Sequence, residues 1–242
     1  MNWQSTQSER AHSIFHGLNK ANILLCTIAF FSWSMIQYSK EKEINVLKDL
    51  EQKLRNRPIK ITDIAISKVR KILVPGFNND ENRFIQEQHK RLLSISKNIN
   101  NSEEVAIVID IIHWDSEVIL GKENRVKMEN NKHANEMLLA CPKNTLLVMH
   151  NHPSTSTFSG EDFKMFCDND SIYVITIVGN DGTLQLMEKN SEFNGQEVKV
   201  KYGALAKKYM DAGYINNGTM AMQYIIKNPE QFHIIYKHGG KK

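Results

Sequence analysis

Five short apolar runs constrain this chain more than any other feature: EVAIVIDII at 104–112, EVILG at 117–121, TLLVM at 145–149, SIYVITIVG at 171–179 and TLQLMEK at 183–189. β-Branched and aromatic side chains crowd a helical turn but fit a pleated, half-buried surface, so each run predicts a strand. EVILG can fold back on the first run across HWDS, and the NDG between the last two runs is a strong hairpin signal. TLLVM is bounded by turn residues and predicts a buried strand.

Between these runs the spacing becomes helical. Phe84, Ile85, His89, Leu92, Leu93, Ile95 and Ile99 recur at three- and four-residue intervals, one face of an amphipathic helix. A helix is predicted from Lys132 to Cys141, stopped by Pro142, and a long one from 198 to about 227, carrying Val198, Tyr202, Leu205, Ala206, Tyr209 and Met210. Helices alternating with strands give an α/β class, a mixed β-sheet flanked by helices. The polar stretch GFNNDEN at 76–82 reads as a linker or exposed turn. Three regions follow: a helical N-terminal extension over 1–80, a core over 81–195, and a C-terminal helix with a basic tail over 196–242, HGGKK being a flexible end. Within the extension, a charged helical pattern runs from Lys40 to about Arg57 with Pro58 as its stop, and ITDIAISKVRKIL gives a short helical reading. A length of 242 residues accommodates one full core with such an extension.

Composition excludes several function classes. A charged fraction of 24% and a hydrophobic fraction of 41% are those of a globular protein. The net charge of +4, from 31 basic and 27 acidic residues scattered along the chain, makes no nucleic-acid footprint, and no nucleic-acid partner is expected. Cys26, Cys141 and Cys167 are odd in number and lack CxxC spacing, which fits a reducing, cytoplasmic compartment. Nineteen residues, Ala21 to Ser39, carry no charge, long enough for a membrane anchor. They also hold Asn22, Thr27, Ser32, Ser34, Gln37 and Ser39, and Lys20 precedes while Lys40 and Lys42 follow, without positive-inside asymmetry. Anchor and buried helix both stay open; a cleaved secretory signal fits less well, since the run starts late and has no small-residue cleavage site.

MHNHPSTSTFSGED, residues 149–162, carries the chemistry. Positions i and i+2 of a strand face one side, so His150 and His152 at the end of TLLVM can grip one metal ion. Pro153 then turns the chain out of the ladder. Ser159 would cap a new helix whose first turn holds Asp162, and that carboxylate can swing back towards the histidines. Two His and one carboxylate suit Zn2+, with a fourth position for water. SGED is by itself a capping box that needs no metal; it is the coincidence of HxHP after an apolar strand with SxxD shortly afterwards that favours the metal.

These residues resemble the signature of the JAB/JAMM (MPN+) metallopeptidases: HxHP, a short loop, then SxxD. The spelling is closest to JAB domains of bacterial mobile elements and prophages and to RadC-like forms. Five residues separate Pro153 from Ser159, one fewer than in the commonest forms, so the loop over the metal is tighter. The resemblance covers about 84–190 and implies a JAB/MPN-like, cytidine-deaminase-like fold. It implies zinc on His150, His152 and Asp162, and a role for Ser159 in stabilising the tetrahedral intermediate. It also implies a glutamate general base upstream, between an amphipathic helix and the first core strand. Glu104 meets that description; Glu103 and Glu117 remain alternatives.

The activity implied is zinc-dependent hydrolysis of a peptide or isopeptide bond, the partner being a peptide or protein substrate such as a ubiquitin-like conjugate. HExxH, GxSxG, GxxxxGK[ST] and GxGxxG are all missing from the chain. Two other readings stand beside the hydrolase: a zinc-binding scaffold of the same fold, and a RadC-like DNA-associated protein, which the weak positive charge disfavours.

Overall fold

The computed structural model describes residues 29–40, 42–44, 57–122 and 125–239. They fall into two units, Met1–Glu51 and Gln52–Lys242. In the first, residues 29–40 and 42–44 are helical. Among the described residues no helix is long and apolar enough to cross a membrane. Residues 21–28 of the uncharged run and 45–56 of the expected charged helix lie outside the described residues.

The second unit is α/β, a mixed sheet with helices on both faces. Six strands, β1 Val105–Asp110, β2 Ser116–Leu120, β3 Leu146–His152, β4 Ile172–Gly179, β5 Leu184–Lys189 and β6 Ile234–Gly239, lie in the order β2-β1-β3-β4-β5-β6. β3 and β4 are parallel and the other neighbours antiparallel. The helices are α1 Asp63–Lys68, α2 Asn79–Ile99, α3 Lys132–Ala140, α4 Gly160–Asp168, α5 Gly195–Asp211 and α6 Asn217–Lys227.

Strand alternation sends side chains to two separate cores. Val105, Ile107, Ile109, Leu147 and Met149 pack with Ile85, Leu92 and Leu93 of α2. Ala106, Val108, Leu146 and Val148 pack on the other face with Ala134, Phe163, Val198 and Met222 of α3 to α6. The parity continues along β3, so His150 and His152 follow Leu146 and Val148 to the α3–α6 face, while Asn151 follows Met149 to the α2 face.

Five expectations change. GFNNDEN is no linker: Asn78 caps α2 in a reciprocal box with Glu81, and the helix starts there because two of its orphan amides are satisfied by Asn78. The residues before it belong to the second unit, with Ile61, Val69, Ile72 and Val74 buried in the same cluster as Ile85, so the extension does not run to residue 80. The helical reading of ITDIAISKVRKIL holds only for α1; beyond it Pro75 disfavours helix at Val74, and the Val69 carbonyl accepts from Gln86 Nε2 at 2.9 Å.

The long C-terminal helix is two helices. Gly213 takes φ +82°, and the Tyr214 and Gly213 amides close on the Tyr209 and Met210 carbonyls at 3.0 and 2.9 Å, a Schellman stop that a side chain at position 213 would strain. The basic tail is also ordered further than expected. Ile234–Gly239 forms β6, paired with β5 from Lys189↔Ile234 to Leu184↔Gly239; residues 240–242 lie outside the described residues.

One buried histidine of α2 gives a pH prediction. His89 is fully buried, with Nε2 2.8 Å from Thr176 Oγ1 on β4. Burial lowers its pKa from 6.5 to about 4, against a small opposing pull from the Ile85 carbonyl. The folded pKa lies below the unfolded one, so the unfolded chain takes up the proton first, and stability present above about pH 6.5 is lost as pH falls towards 4. From pH 7 to 4.5 the residue accounts for a loss on the order of 2 kcal/mol. Urea unfolding of His89→Gln, which keeps a hydrogen-bonding side chain and removes the titration, is expected to show a correspondingly smaller acid loss than wild type; equal losses would assign the effect elsewhere.

Candidate metal centre

β3 lies between β1 and β4 with every residue buried, so His150 is fixed by ladders on both sides and His152 by the β4 ladder. His150 pairs with Ala106 and Ile177, and His152 with Gly179. The strand carries the histidines within itself rather than just beyond its end. Pro153 closes it, its carbonyl accepting from the Ile59 amide at 2.6 Å. The loop that follows is pinned by buried Phe158 and by Thr157 Oγ1 donating to Gln185 Oε1 at 2.7 Å.

Ser159 is the N-cap of α4 and forms the reciprocal box with Asp162. Asp162 Oδ2 accepts from the Ser159 amide and hydroxyl, both at 2.7 Å, and the Asp162 amide donates to Ser159 Oγ at 3.1 Å. The cap therefore aims the carboxylate. Asp162 Oδ1 lies 3.2 Å from His150 Nε2, Oδ2 lies 3.5 Å from His152 Nε2, and the two Nε2 atoms are 3.0 Å apart. Among the described residues His150, His152 and Asp162 form the group that could hold a metal ion, with one ligand atom from each lying within 4.8 Å of the others.

The spacing fits zinc. Ligands about 2.05 Å from a tetrahedral ion stand about 3.3 Å apart, and the two Nε2 atoms at 3.0 Å and His150 Nε2 with Asp162 Oδ1 at 3.2 Å lie close to that value. Two imidazole nitrogens 3.0 Å apart need a proton or a cation between them, since two bare lone pairs or two N–H groups would repel. His152 has the outer partner that a ligand histidine uses, with Nδ1 3.0 Å from Ser156 Oγ. His150 lacks one among the described residues, its Nδ1 being buried without a hydrogen-bond partner there. Burial alone would raise the Asp162 carboxyl, yet His150 and His152 outweigh it and hold Asp162 well below the ordinary carboxylate range, ionised as a ligand must be.

Of the three candidate glutamates, Glu104 alone lines the cleft of about 800 Å³ around this cluster, together with Arg125, His150, His152, Ser159 and Asp162. It stands two residues before Ala106, the partner of His150, which puts it level with His152. Burial pushes its carboxyl up to about 7; Asp162 pushes the same way, against His152, the Val126 amide and Arg125. Glu117 instead accepts from Asn131 Nδ2 at 2.8 Å, at the cap of α3, and Glu103 offers its backbone carbonyl to Ser96 Oγ at 2.6 Å. A second hollow of about 850 Å³ lies along β2, lined by Val118, Leu120, Lys122 and Lys127 among others. None of His150, His152 and Asp162 lines it.

Two contributors escaped sequence reasoning. Ser156 is one of several hydroxyls in PSTSTFS, with no pattern to single it out as the partner of His152. Asn151 stands between the histidines, and its parity alone gives the signal: a polar residue on the inward face of an apolar strand needs buried partners. Comparison with known proteins finds no family model, curated protein or solved structure that matches the chain.

Proposed function

We propose that the chain is a zinc-dependent hydrolase of peptide or isopeptide bonds, of JAB/JAMM type, with ubiquitin-like conjugates among the substrate classes. The observation that carries this is the meeting of Glu104 with the His150, His152 and Asp162 cluster in one cleft. Strand order supports the same assignment, since the glutamate precedes β1, the HxHP closes the adjacent β3, and SxxD opens the next helix.

His150, His152 and Asp162 would hold the zinc ion, which when bound would supply Lewis acidity and make water at the site more acidic. Glu104 takes a proton from the attacking water and returns it to the leaving amine, a double duty suited to a carboxyl that burial has made more basic. Asp162 keeps its negative charge on the cluster because Ser159 holds Oδ2. Re-aimed, the Ser159 hydroxyl donates to the oxyanion that grows as the carbonyl becomes tetrahedral. The amide C–N bond breaks, leaving a carboxylate and an amine. Incubating the zinc-loaded protein with peptide and isopeptide-linked substrates, with and without chelator, tests this: cleavage that chelator abolishes is expected, whereas a full zinc complement without cleavage would favour a scaffold.

The proposal extends to residues 21–39 as a lipid-binding segment. Phe30, Phe31, Trp33, Met35, Ile36 and Tyr38 are each more than half exposed, and at 100° per residue they point all round the helix of residues 29–40. Ser32, Ser34, Gln37 and Ser39 are interleaved with these groups, so no single apolar stripe of the kind a protein groove takes is formed, and aromatic rings among hydroxyls suit the headgroup boundary of a lipid surface. The full chain is expected to float with vesicles of neutral and anionic lipid, and Phe31→Ser with Trp33→Ser to reduce flotation several-fold. Wild-type protein that stays monodisperse without detergent and leaves vesicles unbound would overturn it.

A further inference from the structure

Asn151 is fully buried on the face of β3 opposite the two histidines, and its amide spans the chain on either side of Glu104. Oδ1 accepts the Val105 amide at 2.7 Å, and Nδ2 donates to the Glu103 carbonyl at 3.2 Å. The same nitrogen reaches Asn180 Oδ1 at 2.8 Å and Ser96 Oγ at 3.2 Å. The β1–β3 pairing ends at Ala106↔His150, so one step further on a side chain, rather than a strand, receives the Val105 amide.

We propose that Asn151 is a positioning residue that sets the Glu104 carboxylate against the metal ligands; the catalytic part of this rests on the hydrolase reading above. Its neighbours in sequence are the two ligand histidines, and its hydrogen bonds grip the residues flanking the base, so one rigid side chain ties the two halves of the site. Asn180 extends the brace. Its amide donates to the His152 carbonyl at 3.0 Å, and its Nδ2 donates to the Ile59 and Ser102 carbonyls, each at 2.8 Å. The position needs an acceptor for an amide and donors for a carbonyl within one short side chain. Asn meets both demands; Asp lacks the donor, and Ser and Ala lack the reach.

The test uses the full zinc-loaded chain. Asn151→Ala, with Asn151→Ser as the milder variant should Ala fail to fold, is expected to keep one zinc per chain and an unchanged KM. Its kcat is expected to fall on the order of 10- to 100-fold, the scale set by misplacing a reacting group by about 1 Å. Added to Glu104→Gln, it is expected to cause no further loss, because a residue that acts through Glu104 has nothing left to position. Additive losses, or a loss of zinc, would overturn the proposal. A crystal structure of the variant reads the same claim without activity: the Glu104 carboxylate displaced by about 1 Å or more, with His150 and His152 in place, supports it, and an unmoved Glu104 refutes it. Should the wild-type protein cleave nothing, the hydrolase reading falls, and the crystal comparison still decides whether Asn151 holds Glu104.

Discussion

Glu104→Gln is expected to bind zinc as tightly as wild type while hydrolysing substrate on the order of 10²- to 10⁴-fold more slowly, the usual worth of a positioned acid–base group. Gln matches Glu in shape, so packing in the cleft is preserved and only proton transfer is lost. Glu104 contributes no atom to the three-residue metal group, which is why metal content and activity separate in this variant. Glu103→Gln and Glu117→Gln are expected to behave as wild type, because neither lines the cleft. Measured zinc content beside kcat checks all three, and undiminished turnover by Glu104→Gln would remove it as the base.

His152→Ala is expected to lose zinc and hydrolysis together. The imidazole is nearly fully buried, held at Nδ1 by Ser156 and facing His150 and Asp162 with Nε2. Removing it leaves two ligands, and two do not retain zinc against water. A thermal signature follows. Ligand at about 100 times its Kd stabilises a fold by about 2.7 kcal/mol, which for a chain of this size raises Tm by roughly 5–10 °C. Zinc is expected to produce that rise in wild type and Glu104→Gln, and none in His152→Ala. Ser156→Ala tests the outer support separately, with weaker zinc affinity, on the order of 10-fold, as the expected change.

The parts of the fold that depend on local periodicity were legible in the chain. The β-branched residues of EVAIVID and the short apolar run TLLVM read as strands because each residue's burial there follows from its own side chain. Likewise Ile85, His89, Leu92 and Leu93 mark one face of α2 at any level of description. What depended on distant partners was not legible. β6 is a strand because Met187 and Glu188 wait beside Tyr236 and Ile235, which a basic, glycine-ending tail does not reveal. Val69 to Val74 are extended because the α2 face offers Ile85 and Leu92 to bury them, and Gly213 ends α5 by a φ sign that spacing does not carry.

The candidate site divides along the same line. His150 and His152 share a face by strand parity, and Ser159 with Asp162 share a helical turn; both relations are short-range. Their convergence across the 153–158 loop, and the approach of Glu104 from another strand, are long-range relations that only the folded sheet displays. Ser156 and Asn151 sit closer to the histidines in sequence than Glu104 does, yet nothing singled out Ser156, and the parity of Asn151 signalled a need for buried partners without saying which.

Every role proposed for the cleft requires that His150, His152 and Asp162 close on one zinc ion. Diffraction from crystals of the zinc-loaded protein, recorded on both sides of the zinc absorption edge, tests it most directly. A single anomalous peak is expected about 2.0–2.2 Å from both Nε2 atoms and from Asp162 Oδ1. No peak between the histidines, with Asp162 bonded only to the Ser159 amide and hydroxyl, would contradict it.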